Sequence, residues 1–347
     1  MCTRIDLPLA HDFLVPFKAT PLGDGNPSFR NPQERSTLSI LVEMRFWTLY
    51  LSLAAHATKL NAAPTTLRGR SVTALSTSDL ASLAPFTQFS RAAYCPTNVL
   101  QSWSCGQACR ANSDFQPTLV GGDGNALQIF FVGFSPSQNS VIVAHQGTDP
   151  TKLGSDLADI NILMGNLDTN LFPGVSSSVQ VHLGFRNEHA VTAPAILKEV
   201  KRLMSLKNTN KVALIGHSLG GALAELDSLF LTLNLPSSTS IKAVTYGTPR
   251  VGNASFAQLI DSKVPDFRRI NNKADIIPIL PGRFLGFAHP HGEVHILSPG
   301  NAVACSGDDN AIDPQCQIQS VPNIFQGNVL DHLGPYEGIN IGTIFCT

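Results

Sequence analysis

The stretch KVALIGHSLGGALAEL, residues 211–226, constrains this chain more than any other. Its first seven residues form a largely apolar run that reads as a buried strand, and from Leu219 onward the apolar positions recur with helical spacing. Between the two stands Gly216-His217-Ser218-Leu219-Gly220. Glycines two residues to either side of Ser218 let the backbone reverse sharply without a Cβ clash, which lifts the hydroxyl above the edge of a sheet. The five residues alone are also compatible with a glycine-rich turn that only packs. A strand before them and a helix after them are the context of a nucleophile elbow.

The rest of the chain alternates in the same way. ALQIFFVGF and SVIVAHQGT read as two strands joined by a turn over 135–139, followed by a helix near 187–205. Then come the strand KVALIGH, a helix from about Leu219 to Leu233, the strand IKAVTYG, a helix over 254–262, the strand DFRRINN and the strand GEVHILS. Such alternation predicts an α/β fold with a mainly parallel central sheet flanked by helices in one domain. With 347 residues, 43% apolar and 14% charged, the chain can bury a large core. A formal charge of −1 gives bulk electrostatics no hold on nucleic acid or an anionic surface.

A serine hydroxyl is a weak nucleophile until a base removes its proton, so an acid and a histidine are expected downstream of Ser218 in that order. Asp275 is the best acid: it directly follows DFRRINN, in NKADIIPILPG, where two prolines enforce a loop. Asp308, Asp309 and Asp313 compete but read as solvated turn residues. His332, in the loop DHLGPYEG, is the best base, with His289, His291 and His295 as rivals. Those three, in HPHGEVH, also raise a metal site, but they share no helix face and packing is preferred. His145 and His182 read as strand-end packing groups, and His217 as a support of the elbow.

An oxyanion needs donors. The amide of Leu219, at a helix N-terminus, is one; Thr148, after the strand ending in AHQGT, is the other, unless it merely caps the next segment. In DPTKLGSDLADINILMG, Leu153, Leu157, Ile160 and Met164 fall at spacings that make one apolar helix face. Beside a reactive serine such a helix is expected to be a lid that meets a lipid–water interface, the alternative being an ordinary surface helix.

The N-terminus reads as processing signal. Residues 1–43 show no sustained period and are expected to be a disordered or over-extended start; MRFWTLYLSLAAHA, 44–57, has the cation, short apolar run and Ala-x-Ala site of a signal peptide, with cleavage near Ala57 or Ala63. The apolar run is too short to span a bilayer. The single domain then occupies 58–347. Of seven cysteines, Cys2 precedes that signal, and an even set in a secreted chain points to disulfides. Proximity pairs Cys105 with Cys109 and Cys305 with Cys316, which leaves Cys95 for Cys346; CGQAC as half a zinc site lacks a second short-spaced pair. The sequon Asn253-Ala254-Ser255 allows one N-glycan if it is exposed.

The ordered set AHQGT, VHLGF, GHSLGG, YGTPRVGN, NNKADIIPILPG, GEVHI and DHLGPY resembles the fungal class 3 lipases, secreted α/β-hydrolases, from about Tyr94 to Cys346. The resemblance implies Ser218 as nucleophile, Asp275 as acid, His332 as base, Thr148 and Leu219 as oxyanion donors, a lid beginning near Asp149, and the same three disulfides. Gly221 departs from it, since many relatives carry alanine there. The implied protein is a secreted, monomeric serine carboxylester hydrolase acting on acylglycerols, without metal or organic cofactor and without a transmembrane segment. Feruloyl or other soluble esters are the alternative substrates on the same scaffold, and a non-catalytic binding module is the alternative class.

Overall fold

The computed structural model describes residues 72–149 and 162–347. The readings for the start, the signal segment and the lid positions Leu153, Leu157 and Ile160 lie outside the described residues.

The strands of the predicted series form where nearly every side chain is buried between covering layers, apolar in most of them and polar at Arg269, Asn271, Asn272, Glu293 and His295 in the last two. These are β3 (Phe130–Ser135), β4 (Ser140–His145), β7 (Lys211–His217), β8 (Ser240–Tyr246), β10 (Asp266–Asn272) and β12 (Glu293–Ser298). Strand β4 runs parallel to β7, β7 to β8, β8 to β10 and β10 to β12. Antiparallel strands close both flanks: β2 (Gln116–Gly121) beyond β3, and β13 (Asn301–Ala304) with β1 (Thr73–Ala74) beyond β12. The order among the described residues is β1-β13-β12-β10-β8-β7-β4-β3-β2.

Helices cover the sheet. On one face Ile196, Val200 and Leu203 of α4 (Leu183–Lys207), Leu226, Leu229 and Phe230 of α5 (Leu219–Asn234) and Phe256 and Ile260 of α6 (Ala254–Lys263) pack on Val132, Val143, Val212 and Leu214. On the other, Phe86 and Phe89 of α1 (Thr77–Ala92) meet Phe131, Ile142, Ile215 and Ile270. The sequence reading did not find α1: Pro85 lies inside it, and its start is set by Ser76 and Asp79, which cap each other's backbone. The short α2 (Thr97–Gln101) and α3 (Gly106–Ala111) follow, and α7 (Gln317–Ser320) lies near the end.

A second, four-stranded sheet was also not anticipated. It joins β5 (Met164–Asn166), β6 (Gln180–His182), β9 (Gly252–Asn253) and β11 (Phe287–Ala288), which are two or three residues each. Met164 therefore does not extend the apolar helix face that its spacing suggested. It starts β5 and pairs with His182, because the ladder to β6 satisfies its backbone there.

All three cysteine pairs are disulfides: Cys95–Cys346, Cys105–Cys109 and Cys305–Cys316. The first closes a sequence separation of 251 residues. The thiols of CGQAC are thus bonded to each other and offer no metal ligand.

Candidate active site

Strand β7 ends at His217 and α5 begins at Leu219, so Ser218 alone makes the turn. It does so at φ 59° and ψ −130°, a left-handed conformation that costs a non-glycine residue of order 1–3 kcal/mol and persists only where the surroundings impose it. The surroundings are visible. A Cβ on Gly216 would run into the backbone of Gly220 and Gly221, and one on Gly147 would come within 2.9 Å of Ser218 Cβ. Ser218 donates its amide to Tyr246 O at 2.9 Å, holding the turn to β8.

Asp275 lies just past β10, fully buried, with Oδ1 accepting from the Ile277 amide at 2.9 Å and Oδ2 2.9 Å from Nδ1 of His332. The 310 turn Val329–Leu333 carries His332, which is 1% exposed. With Nδ1 on the carboxylate, the other nitrogen, Nε2, is left as the acceptor, and it has no hydrogen-bond partner among the described residues. Three residues far apart in the chain are thus gathered at the C-terminal ends of the parallel strands, where ligands bind in open α/β sheets.

Further residues shape this pair, and beyond His217 no local pattern in the chain marks them. Nε2 of His217 faces the His332 carbonyl at 2.7 Å and so donates, leaving Nδ1 to accept from the Tyr94 hydroxyl at 2.6 Å. The Tyr94 oxygen in turn accepts from the Gly147 amide. Burial, and then the neighbouring His332, hold His217 well below the usual histidine range, so it stays neutral. Tyr336 also donates to the His332 carbonyl, at 3.0 Å. One chain of hydrogen bonds therefore runs from the loop after β4 to the backbone of His332.

Gly147, the neighbour of Thr148, approaches Ser218 from the loop after β4, and Leu219 follows Ser218 in the chain. Leu219 is the first residue of α5, where amides lack intrahelical acceptors and the helix dipole favours negative charge; Thr148 follows Gly147 and is half-buried. A mostly apolar groove of about 570 Å³ is lined by Ile279, Leu280 and Pro281 after Asp275, by Phe284, and by Val321 and Ile324 ahead of His332, with Arg250 and Arg283 also in its wall; Ser218, Asp275 and His332 do not line it. Phe284, Phe325 and Leu330 are 89%, 91% and 70% exposed.

The competing residues are placed elsewhere. Asp309 is not a solvated turn residue: it forms a buried ion pair with Arg250 (2.9 Å) and accepts from the His289 amide. Burial would raise its carboxyl, but the interactions with His289 and with the hydrogen-bonded guanidinium of Arg250 outweigh it and hold the pKa at about 2. His289 contacts Pro278 O, His291 contacts Asp261, and both ring nitrogens of His295 face carbonyls of Gln315 and Lys273. These three histidines are engaged in packing loops onto the fold.

A mixed sheet with a parallel centre, bearing a serine elbow and an Asp–His pair at the C-terminal ends of its parallel strands, defines the α/β-hydrolases. Within that class, residues 142–285 match the model of the class 3 lipases. The chain is 31% identical over 286 residues to a lipase of Rhizomucor miehei, covering 80% of this chain and 73% of that protein. It is 28% identical over 213 residues to the secreted mono- and diacylglycerol lipase LIP2 of Malassezia restricta, spanning 61% of this chain and 66% of that relative's length. Among solved structures, the native Rhizomucor miehei lipase propeptide complex superposes with a TM-score of 0.69 at 28% identity, over 80% of this chain and 85% of that one. A triacylglycerol lipase described as having a serine protease triad as its catalytic centre gives 0.68 at 28% identity, over 80% and 100%. The chain belongs to the class 3 lipase family.

Proposed function

We propose that the protein is a secreted serine carboxylester hydrolase acting on acylglycerols. Ser218 attacks the ester carbonyl while His332 Nε2 takes its proton; Asp275 fixes the imidazole tautomer and stabilises the imidazolium. The oxyanion is held by Leu219 and Thr148. His332 then protonates the leaving alcohol, and water repeats the attack to release the fatty acid. The observation that carries this reading is the buried His332–Asp275 pair, with the His332 ring 4.3 Å from that of His217, the residue before the strained Ser218 turn.

The names of the relatives and the apolar groove favour acylglycerols over feruloyl esters, since the groove offers an acyl chain an apolar lining. Secretion is supported by the relatives named as secreted. Among the described residues no helix is long and apolar enough to cross a membrane. The exposed Phe284, Phe325 and Leu330 favour contact with a lipid surface.

The test is hydrolysis of a tributyrin emulsion by wild type and Ser218→Ala across the solubility limit of the substrate. Activity that rises when droplets form and is absent from the variant is expected. Smooth saturation below that limit would turn the reading to a soluble-ester esterase, and equal turnover by both proteins would refute it.

A further inference from the structure

A second buried carboxylate–histidine cluster stands behind the candidate site and takes no part in the chemistry above. Asp227, fully buried on α5, places Oδ2 2.7 Å from Nε2 of His145 and Oδ1 2.9 Å from Nε2 of His189. Both histidines are 1% exposed. Aromatic rings enclose them: Phe130 stacks on His145, while Phe172 and Phe230 lie 5.5 and 5.4 Å from His189. Burial opposes ionisation of Asp227, yet the two histidine hydrogen bonds outweigh it and hold the carboxyl at about 2. A charge so far from solvent is costly unless fully paired, and here both oxygens are paired.

The cluster joins the two halves of the oxyanion site. His145 is the last residue of β4, and Gln146, Gly147 and Thr148 follow it. Asp227 lies nine residues after Ser218 on α5, the helix whose first residue is Leu219. His189 adds a tie to α4. The strand end and the helix also touch at Gly220, where a Cβ would collide with the carbonyls of His145 and Gln146. That contact sets how closely the two elements approach. The Asp227–His145 hydrogen bond ties the end of β4 to α5.

We infer that Asp227 and His145 are positioning residues that hold the Thr148 loop in register with the Leu219 amide, so that both donors converge on the oxyanion. This rests on the hydrolase reading above. Donors aimed at developing charge matter in the transition state and little in substrate binding, so loss of register lowers kcat and spares KM.

The experiment compares a soluble p-nitrophenyl ester with its thionoester in wild type, Ser218→Ala, Asp227→Ala, Asp227→Asn, His145→Leu and His145→Gln. A thiocarbonyl sulfur is a weak hydrogen-bond acceptor, so thionoester turnover depends less on the donors. Asp227→Ala and His145→Leu should lower kcat on the oxoester by about ten- to a hundredfold with KM within about twofold, and should shrink the oxoester-to-thionoester ratio by a similar factor. Gln at position 145 restores an N–H donor and should recover most of the ratio. If Asp227→Ala does not fold, Asp227→Asn and His145→Leu carry the same comparison. Variants that melt at lower temperature with an unchanged ratio would overturn the proposal by reducing the cluster to a stabilising contact. A wild type no faster than Ser218→Ala would bring down the hydrolase reading itself, and this proposal with it.

Discussion

Glu225 is a carboxyl group in the wrong solvent. It lies on α5, fully buried, and neither carboxyl oxygen has a hydrogen-bond partner among the described residues. Burial raises its pKa from 4.5 to about 8; the positive charge of Arg269 offsets only part of this, and Asp261 adds to the rise. The folded protein thus keeps a proton that the unfolded chain has released, and stability falls as pH rises between 4.5 and 8. For these two values the linkage penalty is about 0.8 kcal/mol at pH 5 and about 4 kcal/mol at pH 8. Glu225→Leu removes the titration and fills the site with an apolar side chain. Any gain from apolar packing is common to both pH values, and every other titrating group cancels between the two proteins. The substitution should therefore stabilise the protein by about 3 kcal/mol more at pH 8 than at pH 5, which for a domain of this size is a difference of roughly 5–8 °C in the shift of Tm. Thermal melts of both proteins at the two pH values measure it directly. A shift of equal size at both, or a larger one at pH 5, would refute the claim that Glu225 is protonated in the folded state.

Three further outcomes are expected. The sequon at Asn253 should carry no glycan: Oδ1 accepts from the Phe256 and Gln180 amides, and Nδ2, the atom a glycan would occupy, donates to Ser178 O at 2.9 Å. The intact mass of the secreted protein should be unchanged by endoglycosidase, while Asn253→Ala, which removes the cap of α6, should cost about 1–2 kcal/mol in urea unfolding. Replacing both Cys95 and Cys346 by serine should cost about 5 kcal/mol, since that bridge closes most of the chain; a loss no larger than that from the four-residue bridge Cys105–Cys109 would contradict it. Arg250→Met should destabilise the protein by about 3–5 kcal/mol by stranding the buried Asp309, and Asp309→Asn in that background should recover part of the loss.

What could be read from the sequence follows the range over which the signal acts. The strand bounds of KVALIGH and the start of the following helix were legible to the residue, because a largely apolar run and helical spacing are properties of neighbours in the chain, whereas DFRRINN, mostly polar, was placed by the alternation of strands and helices around it. Asp275 and His332 could be nominated from their place after a strand and in a late loop, and two of the cysteine pairs from proximity. Elements whose pattern is interrupted or too short escaped. Pro85 hid α1, and strands of two or three residues such as β9 and β11 have no period to detect. Met164 misled because its spacing from Ile160 fits a helix, while its backbone partner, His182, is not a sequence neighbour.

By itself, then, the sequence determined the alternation that makes a parallel sheet, the glycine-framed turn at Ser218, and the Ser, Asp, His order. Only the tertiary structure decided how those residues are held: Tyr94 and His217 behind His332, Asp227 between His145 and His189, Arg250 on Asp309 instead of solvent. These contacts join residues 38 to 123 positions apart, and each depends on which buried polar group finds a partner once water is excluded. A single sequence records the polar residues but not which of them will meet.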